Sequence, residues 1–259
     1  MCSFEQPSGV EITGEVSQSS DDELEHDARL LELTRMLVAQ DEFAWGANSH
    51  LTLRRQSLSR ILYYDHLYQK VVGTPGVICE FGVRWGATLA LLANLRGIYE
   101  PYNYSRKIVG FDTFEGFPTV HTKDGIHVRQ GAYSVWDGYE KTLAEILVLH
   151  ESFSPIPHVR KFELVKGDAS KTIDSWLKDN PHAIISMAIF DMDIYDPIKA
   201  VLNKILPRLT KGSILVFDEL NHELFPGETV ALDEVLGINN LRLQHFPDQP
   251  QCAWAVFGE

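Results

Sequence analysis

Acidic residues follow five short apolar runs of this sequence. They are Glu80, Asp112, Asp168, Asp191 and Asp218. Carboxylates at such positions can accept hydrogen bonds from ribose hydroxyls, hold a hard cation or accept a proton. Because a structural role does not require this regularity, the sequence indicates chemistry at these five points.

The first of these points has glycines in the spacing Glu-x-Gly-x-x-x-Gly, from Glu80 through Gly82 to Gly86. Glycines let a backbone approach a ligand closely, although a tight turn without a ligand is the alternative. The spacing differs from the Gly-x-Gly-x-x-Gly of dinucleotide sites, and Glu80 would repel a phosphate. Asp112 suits a ribose acceptor, with a helix N-cap as its alternative. Together these residues favour a nucleoside without phosphates, of which S-adenosylmethionine (SAM) is the common example.

A second acidic group follows the fourth and fifth apolar runs, with Asp191, Asp193, Asp218 and Glu219. If these runs are neighbouring strands, Asp191 and Asp218 lie side by side and raise each other's pKa unless a cation sits between them. Oxygen ligands favour a hard divalent cation, with Mg²⁺ as the expected ion. As an alternative, Asp193 or Glu219 caps a helix or faces solvent.

The elements that must position these residues alternate between short apolar runs and helical patterns. This alternation predicts an α/β fold of the Rossmann-like, doubly wound type, with a mostly parallel seven-stranded sheet and helices on both faces. The predicted strands cover residues 76–81, 107–112, 161–167, 183–191 and 212–218, and 241–246 with 253–257 form an antiparallel closing pair. The predicted helices between them cover residues 87–98, 171–178, 197–206 and 228–236. Ligands bind beyond the carboxyl ends of such strands.

The chain is predicted to have three parts. Residues 1–25 are expected to be a flexible acidic tail, and residues 26–72 an N-terminal helical cap with helices over 27–42 and 53–71. Residues 73–259 form the main domain, with a long insertion at about 113–160 that contains one helix over 139–152. A connection this long is usually functional, so the insertion is expected to bind the substrate.

The insertion carries charged and aromatic side chains with two open interpretations each. Lys123, Arg129 and Arg160 could receive substrate phosphates or be solvated loop charges. The aromatic residues either line a substrate cavity or pack the insertion; they are Phe114, Phe117, Tyr133 and Trp136. The histidines His121, His127 and His222 are surface residues or, alternatively, bases.

Composition excludes several classes of protein. The 259 residues contain 23 Lys and Arg against 36 Asp and Glu, a formal net charge of -13, which does not suit a nucleic-acid binder. Three cysteines without a C-x-x-C spacing suit a reducing compartment, and no apolar run is long enough to span a membrane. We therefore expect a cytoplasmic protein without membrane or nucleic-acid partners. Tyr195 and Lys199 match the Tyr-x-x-x-Lys pair of short-chain dehydrogenases, but the glycine-rich dinucleotide turn of those enzymes is missing.

Several motifs resemble the macrocin O-methyltransferase family of class I SAM-dependent methyltransferases. They are Glu-x-Gly-Val-x-x-Gly at residues 80–86, Phe-Asp-Thr-Phe-Glu-Gly-Phe-Pro at 111–118, Asp-x-Asp-x-Tyr at 191–195 and Asp-Glu at 218–219. Val-Lys-Gly-Asp at 165–168, Asp-Glu-Leu-Asn at 218–221 and Phe-Pro-Gly-Glu-Thr at 225–229 resemble its nucleotide-sugar branch, described as dTDP-6-deoxyhexose 3-O-methyltransferases. The resemblance covers about residues 50–259.

The resemblance implies a set of site residues. Those expected around SAM are Glu80, Gly82, Gly86, Thr88, Asp112, Thr113, Gly167, Asp168 and Ser170. Those expected to hold the divalent metal are Asp191, Asp218 and Glu219. Two positions depart from wider patterns. Much of the broader family has Asp-Asp where this chain has Asp218-Glu219, and the general methyltransferase turn has a central Gly where this chain has Arg84, which fits the sugar branch.

The implied reaction is methyl transfer from SAM to a hydroxyl of a nucleotide-linked deoxy sugar, with the 3-hydroxyl as the expected position. A metal would stabilise the developing alkoxide, and Asp191 or Asp193 would accept the proton. One alternative acceptor is a macrolide-attached sugar or another small molecule with vicinal hydroxyls. Another alternative is a non-catalytic SAM-binding protein. A homo-oligomer is mildly favoured.

Overall fold

The structure is a computed structural model that describes residues 19–259. The predicted tail over residues 1–18 lies outside the described residues. The chain divides into two compact units, residues up to Arg60 and residues Ile61–Glu259. This division falls within the helix Arg55–Val71. The sequence analysis instead placed a boundary after this helix, at residue 72. No helix of the described part is both long and apolar enough to cross a membrane.

The first unit begins with a helix that starts earlier than expected. Helix α1 spans Asp21–Val38, so residues 21–25 are helical although the sequence analysis assigned them to a tail. Its start is fixed by a capping box: the Ser20 hydroxyl accepts from the Glu23 N–H, and the Glu23 carboxylate accepts from the Ser20 N–H at 3.0 Å. Acidic residues in the first turn favour the helix dipole. The same acids that suggested a tail therefore start a helix. A short helix α2, Trp45–Asn48, follows.

The second unit contains a seven-stranded sheet, which confirms the predicted fold class. Its strands are β1 Val77–Phe81, β2 Ile108–Asp112, β3 Phe162–Lys166, β4 Ile185–Phe190, β5 Leu209–Phe217, β6 Gln244–Phe246 and β7 Gln249–Val256. The strand order is β3-β2-β1-β4-β5-β7-β6. Strands β1 to β5 pair in parallel, and β7 pairs antiparallel with both β5 and β6.

Helices cover both faces of this sheet, as predicted. They are α3 Arg55–Val71, α4 Ala87–Tyr99, α5 Tyr139–Ser152, α6 Ala169–Asp179, α7 Tyr195–Ile205 and α8 Pro226–Leu236. One apolar cluster joins the sheet to side chains of α4 and α5, and a second joins its other face to α6, α7 and α8. Burial of apolar surface on both faces explains why β1, β2 and β4 read as continuous apolar runs.

A row of phenylalanines crosses the sheet at the end of four neighbouring strands. The strand register aligns Phe111, Phe81, Phe190 and Phe217, all fully buried. Their rings stack with centroid separations of 4.9, 5.5 and 5.3 Å. The residue after each phenylalanine is therefore brought to the same level at the carboxyl edge of the sheet.

Candidate active site

The four positions that follow the phenylalanine row are Asp112, Gly82, Asp191 and Asp218. They come in this order across the sheet, because β2, β1, β4 and β5 are successive neighbours. The carboxyl edge thus places Asp191 beside Asp218, as the sequence predicted, and places Gly82 between Asp112 and Asp191. We call the part of this edge at the ends of β3, β2 and β1 the β1–β2–β3 side, and the part at the ends of β4 and β5 the β4–β5 side.

The glycine turn after β1 has a structural reason for its first glycine. Gly82 has a φ of +91°, and a Cβ there would lie 1.8 Å from the carbonyl oxygen of Asp191. The end of β4 therefore passes too close for any other residue. Gly86 is left-handed as well, with a φ of +74°, and precedes the first residue of α4. These constraints explain both glycines without a ligand, so their role at the cofactor stays a prediction.

Asp112 ties the glycine turn to the end of β2. Its Oδ2 accepts hydrogen bonds from the N–H groups of Val83 at 2.6 Å and Arg84 at 2.8 Å. Its Oδ1 accepts from the N–H of Phe114. The carboxylate therefore organises the turn through backbone donors, an arrangement that neither the ribose nor the N-cap interpretation anticipated. A ribose hydroxyl would have to share these oxygens.

Other residues predicted at the cofactor also have local partners. Thr113 Oγ1 donates to the Gly116 carbonyl at 2.7 Å. Asp168 caps α6, accepting from Ser170 N at 3.0 Å and Ser170 Oγ at 2.6 Å, and contacts Lys171 Nζ at 2.9 Å. Burial opposes ionisation of Asp168, but the hydrogen bonds from Ser170 and Lys171 outweigh it and lower its pKa.

Glu80, Thr88 and Gly167 complete the predicted cofactor set. The Glu80 side chain is 1% exposed within β1, one residue before Phe81, and Thr88 is buried in the first turn of α4. Gly167 has a φ of +132° directly after β3. Glu80, Thr88 and Gly167 lie at the β1–β2–β3 side.

The β4–β5 side gathers more carboxylates than the sequence predicted. Glu228, in the first turn of α8, is fully buried. Its Oε1 accepts from the Glu219 N–H at 3.4 Å. Burial raises the pKa of Glu228 well above its usual value, and the negative charges of Asp193, Asp218 and Asp191 raise it further. Sequence reasoning missed Glu228 as a site residue, although it had quoted the Phe-Pro-Gly-Glu-Thr motif that contains it.

The two acids after β5 have different neighbours. Asp218 Oδ1 accepts a hydrogen bond from the thiol of Cys252 on β7 at 3.1 Å. Glu219 Oε2 lies 3.2 Å from Nδ1 of His222, whose ring stacks on Phe225 at 5.4 Å. Burial lowers the pKa of His222, which favours the neutral imidazole. Of the three histidines considered as bases, His222 is thus the one in contact with Glu219.

A junction of three segments holds the loop that carries Asp193. Asp193 has a φ of +59°, a left-handed conformation that an L-residue adopts at a cost. Two residues on, the Tyr195 N–H donates to Asp124 Oδ1 at 2.7 Å, and Asp124 Oδ2 accepts from the His121 N–H at 2.7 Å. A Cβ on Gly227 would lie 2.3 Å from Asp124 Oδ1. Asp124, a second residue that sequence reasoning missed, thus joins the insertion to the starts of α7 and α8.

The basic residues of the insertion have protein partners in the structure. Lys123 binds Glu234 and also donates to the Tyr195 hydroxyl at 3.0 Å. Arg160 contacts Glu151 at 3.6 Å, and Arg129 donates to the carbonyl oxygen of Ile126 at 2.6 Å. These contacts favour structural roles over the phosphate-binding alternative.

The Tyr-x-x-x-Lys pair is engaged in the same way. Lys199 Nζ donates to the Tyr195 hydroxyl at 2.7 Å and to Glu234 at 2.6 Å. The Tyr195 hydroxyl in turn donates to Glu234 Oε2 at 2.6 Å. Both residues of the dehydrogenase-like motif therefore bind a glutamate of α8.

Aromatic side chains connect the glycine turn to the β5–α8 loop. The Arg84 guanidinium lies 4.9 Å from the centre of the Tyr133 ring, and Tyr133 contacts Phe117 at 5.1 Å and Phe225 at 6.4 Å. Trp136 packs instead on Trp85 and remains 57% exposed. These contacts show packing for Phe117, Tyr133 and Trp136, and lining of a substrate cavity stays a prediction.

The predicted metal residues do not form a preformed centre. Within residues 19–259, no three His, Cys, Asp or Glu side chains meet at the mutual spacing of metal ligands. A metal at Asp191, Asp218 and Glu219 therefore stays a prediction.

Comparison with known proteins identifies the family. No family model matches the sequence. The chain shares 40% identity with the crystal structure of CalS11, a calicheamicin methyltransferase, with a TM-score of 0.88 over 98% of this chain and 100% of that one. The chain belongs to this family of sugar O-methyltransferases. The predicted Rossmann-like fold of class I methyltransferases and the resemblance stated from the motifs are both confirmed.

A second structure of CalS11 and one curated protein carry descriptions of their reactions. The apo structure of CalS11, described as a TDP-rhamnose 3'-O-methyltransferase of calicheamicin biosynthesis, matches with 40% identity and a TM-score of 0.81 over 94% of this chain and 97% of that one. A tetracenomycin rhamnosyl 4'-O-methyltransferase from Streptomyces olivaceus is 26% identical over 162 residues, 57% of this chain. That match spans 54% of the Streptomyces protein, so about half of its length.

Proposed function

We propose that this chain transfers the methyl group of SAM to a hydroxyl of a nucleotide-linked deoxy sugar, with the 3-hydroxyl as the expected position. The observation that carries this proposal is the 40% identity with CalS11 along nearly the whole of both chains, since CalS11 is described as a TDP-rhamnose 3'-O-methyltransferase. The acidic residues at the carboxyl edge of the sheet support it, because O-methylation requires removal of a hydroxyl proton.

The proposed cofactor site lies at the β1–β2–β3 side. Its residues are Glu80, Gly82, Gly86, Thr88, Asp112, Thr113, Gly167, Asp168 and Ser170. When bound, SAM supplies an electrophilic methyl group on a sulfonium. The turn is held by hydrogen bonds from the Val83 and Arg84 N–H groups to Asp112, so the cofactor would meet a surface that the protein itself organises.

The proposed metal residues are Asp191, Asp218 and Glu219, at the β4–β5 side. Their chemistry fits Mg²⁺, because all donors are carboxylate oxygens. The buried Glu228 supports the fit, since its Oε2 has no hydrogen-bond partner among the described residues while three aspartates raise its pKa. A divalent cation bound there would supply positive charge where the acceptor hydroxyl loses its proton.

We assign the acceptance of that proton to Asp191 or Asp193. Asp191 directly follows β4, and its backbone carbonyl lies against Gly82 of the turn proposed to hold the cofactor. A hydroxyl placed between the two sides of the edge would thus meet Asp191 and the methyl donor together. Holding both reactants in this way converts a bimolecular reaction into an effectively unimolecular one.

The test is an assay of the purified chain with SAM and dTDP-rhamnose, with mass spectrometry for the added methyl group and NMR for its position. We expect a monomethylated sugar nucleotide carrying a 3-O-methyl group. Binding of S-adenosylhomocysteine without turnover on any sugar acceptor would contradict the proposal and favour the non-catalytic alternative.

One observation favours a second candidate, methylation of a sugar already attached to its scaffold. The Streptomyces relative is described as acting on the rhamnosyl group of a tetracenomycin, at the 4'-position. Offering a rhamnosylated aglycone beside dTDP-rhamnose in one competition assay separates the two candidates. A preference for the glycoside by more than about tenfold in kcat/KM, a barrier difference of about 1.4 kcal/mol, would replace the nucleotide-sugar proposal.

A further inference from the structure

The β4–β5 side contains two glutamates that could complete the acidic cluster, and the structure places them differently. Glu219 follows Asp218 directly, yet its Oε2 lies 3.2 Å from Nδ1 of His222. Glu228 comes from α8, and its Oε1 accepts a hydrogen bond from the Glu219 backbone N–H. The side chain of Glu228 therefore reaches the end of β5 from a separate element.

The start of α8 determines this approach. Pro226 opens the helix, and Gly227 lies where a Cβ would meet the Tyr195 N atom at 2.8 Å as well as Asp124. The close contact presses the first turn of α8 onto the start of α7. Glu228, the next residue, is consequently inside the molecule at 0% exposure, where a surface helix would leave it in solvent.

One oxygen of Glu228 has no partner in this position. Oε2 is inaccessible to solvent and makes no hydrogen bond with the described residues. The negative charges of three aspartates, Asp193, Asp218 and Asp191, repel the charge of the Glu228 carboxylate. A buried carboxylate oxygen among like charges is costly unless a cation or a proton compensates it.

We propose that Glu228 is a direct ligand of the divalent cation, and that it takes the place which Asp-Asp sequences of the broader family give to the second aspartate. Glu219 is turned toward His222 and contributes less. This inference rests on the metal-assisted function proposed above. It would give a chain with Asp218-Glu219 a further carboxylate oxygen for the cation.

The experiment measures Mn²⁺ binding by electron paramagnetic resonance and isothermal titration on the full chain, without substrate turnover. Mn²⁺ is the probe because it occupies the oxygen sites that Mg²⁺ prefers. We compare Glu228→Gln, Glu219→Gln and Glu223→Gln with the wild type. Glu223 is the matched control, an exposed acid of the same loop outside the cluster. Binding of S-adenosylhomocysteine reports that each variant is folded.

We expect Glu228→Gln to weaken Mn²⁺ binding by at least about tenfold, because the loss of a mere outer-shell partner of a metal ligand already costs about 10–100-fold in affinity. Glu219→Gln should change it by less than about threefold, and Glu223→Gln should leave it unchanged. If Glu228→Gln fails to fold, Glu228→Asp retains the charge but shortens the side chain by one methylene, and it too should weaken binding.

Wild-type affinity in Glu228→Gln or Glu228→Asp would overturn the assignment of Glu228 and leave the metal-assisted function intact. A wild type that binds no Mn²⁺ yet methylates its acceptor would overturn the cation together with its ligand. A larger loss in Glu219→Gln than in Glu228→Gln would return the ligand role to Glu219.

Discussion

The two sides of the carboxyl edge treat their carboxylates in opposite ways. On the β1–β2–β3 side, Asp112 accepts hydrogen bonds from three backbone N–H groups, and Asp168 is bound by Ser170 and Lys171. On the β4–β5 side, Glu228 is buried where Asp193, Asp218 and Asp191 act on it with like charge. The charges of Asp112 and Asp168 are compensated by donors of the polypeptide, whereas Oε2 of Glu228 has no hydrogen-bond donor among the described residues and would be compensated by a proton or by the proposed cation.

Under the proposed function, this difference would let one sheet edge bind the cofactor on one side and remove a proton on the other. Carboxylates held by backbone donors give a rigid surface, which suits recognition of a constant cofactor. Carboxylates left facing one another have raised proton affinity and attract cations, which suits proton removal from an acceptor. The comparison predicts that substitutions on the two sides have different signatures.

The largest effect is expected for Asp191→Asn, on the β4–β5 side. We expect kcat to fall by about 10²–10⁴-fold, the usual contribution of general-base catalysis, with S-adenosylhomocysteine affinity kept. Steady-state kinetics and titration calorimetry measure the two quantities. A fall of less than tenfold would show that Asp191 is not the base, and Asp193→Asn would then be the variant to test.

The next effect is expected for Asp112→Ala, which removes the acceptor for the N–H groups of Val83, Arg84 and Phe114. We expect the free energy of unfolding to fall by about 3 kcal/mol or more, because bonds to charged acceptors are each worth about 1.5–3 kcal/mol. Urea denaturation measures this loss. Cofactor binding should weaken with or without Mg²⁺; a Mg²⁺-dependent loss would place Asp112 with the other side.

Asp124→Ala is expected to act on the junction of the insertion with the starts of α7 and α8. The variant leaves the Tyr195 and His121 N–H groups without their acceptor, and we expect a loss of about 2 kcal/mol in the free energy of unfolding. Lys123→Ala, one residue away, removes a partly exposed ion pair and should cost at most about 1 kcal/mol. Equal losses in the two variants would mean that the Asp124 hydrogen bonds contribute no more to the free energy of unfolding than a partly exposed ion pair.

The smallest effect is expected for Asp168→Ala, which removes the N-cap of α6 at a cost of about 1 kcal/mol near neutral pH. The pKa of Asp168 is lowered in the folded state, so its charge stabilises the fold above its ordinary pKa of 3.8 and this contribution is lost as pH falls through the folded value. The difference between variant and wild type should therefore shrink below pH 3.8. Denaturation curves over a pH series measure it, and a difference that grows on acidification would contradict the assignment.

The fold was accessible from the sequence because its strands and helices carry strong local patterns. The predicted helix over residues 139–152 coincides with α5, Tyr139–Ser152, and both faces of the sheet are covered as expected. The predicted ends of helices and strands agree less well with the structure. Helix α6 begins at Ala169 rather than residue 171, since capping by Asp168 starts it earlier.

The site was predicted only in part, and the reason is the range of the contacts. The aspartates that directly follow strands were found because parallel strands bring their ends together. Glu228 was not assigned, since its burial depends on how the start of α8 packs against α7. Asp124 lies in the insertion, whose path no periodic pattern describes. The signal for both is Gly227, a glycine in the first turn of a helix, where a close approach is the usual explanation.

The phenylalanine row has a consequence for how this enzyme can change. Side chains alternate between the two faces of a strand, so insertion or deletion of one residue within β1, β2, β4 or β5 would exchange a ring with the position that follows it. In β2, β4 or β5 an aspartate would then enter the apolar layer, in β1 Gly82 would do so, and a phenyl ring would move to the carboxyl edge of the sheet. We therefore expect length variation among relatives to fall in the connections, such as residues 113–160, while the four strand ends stay in register.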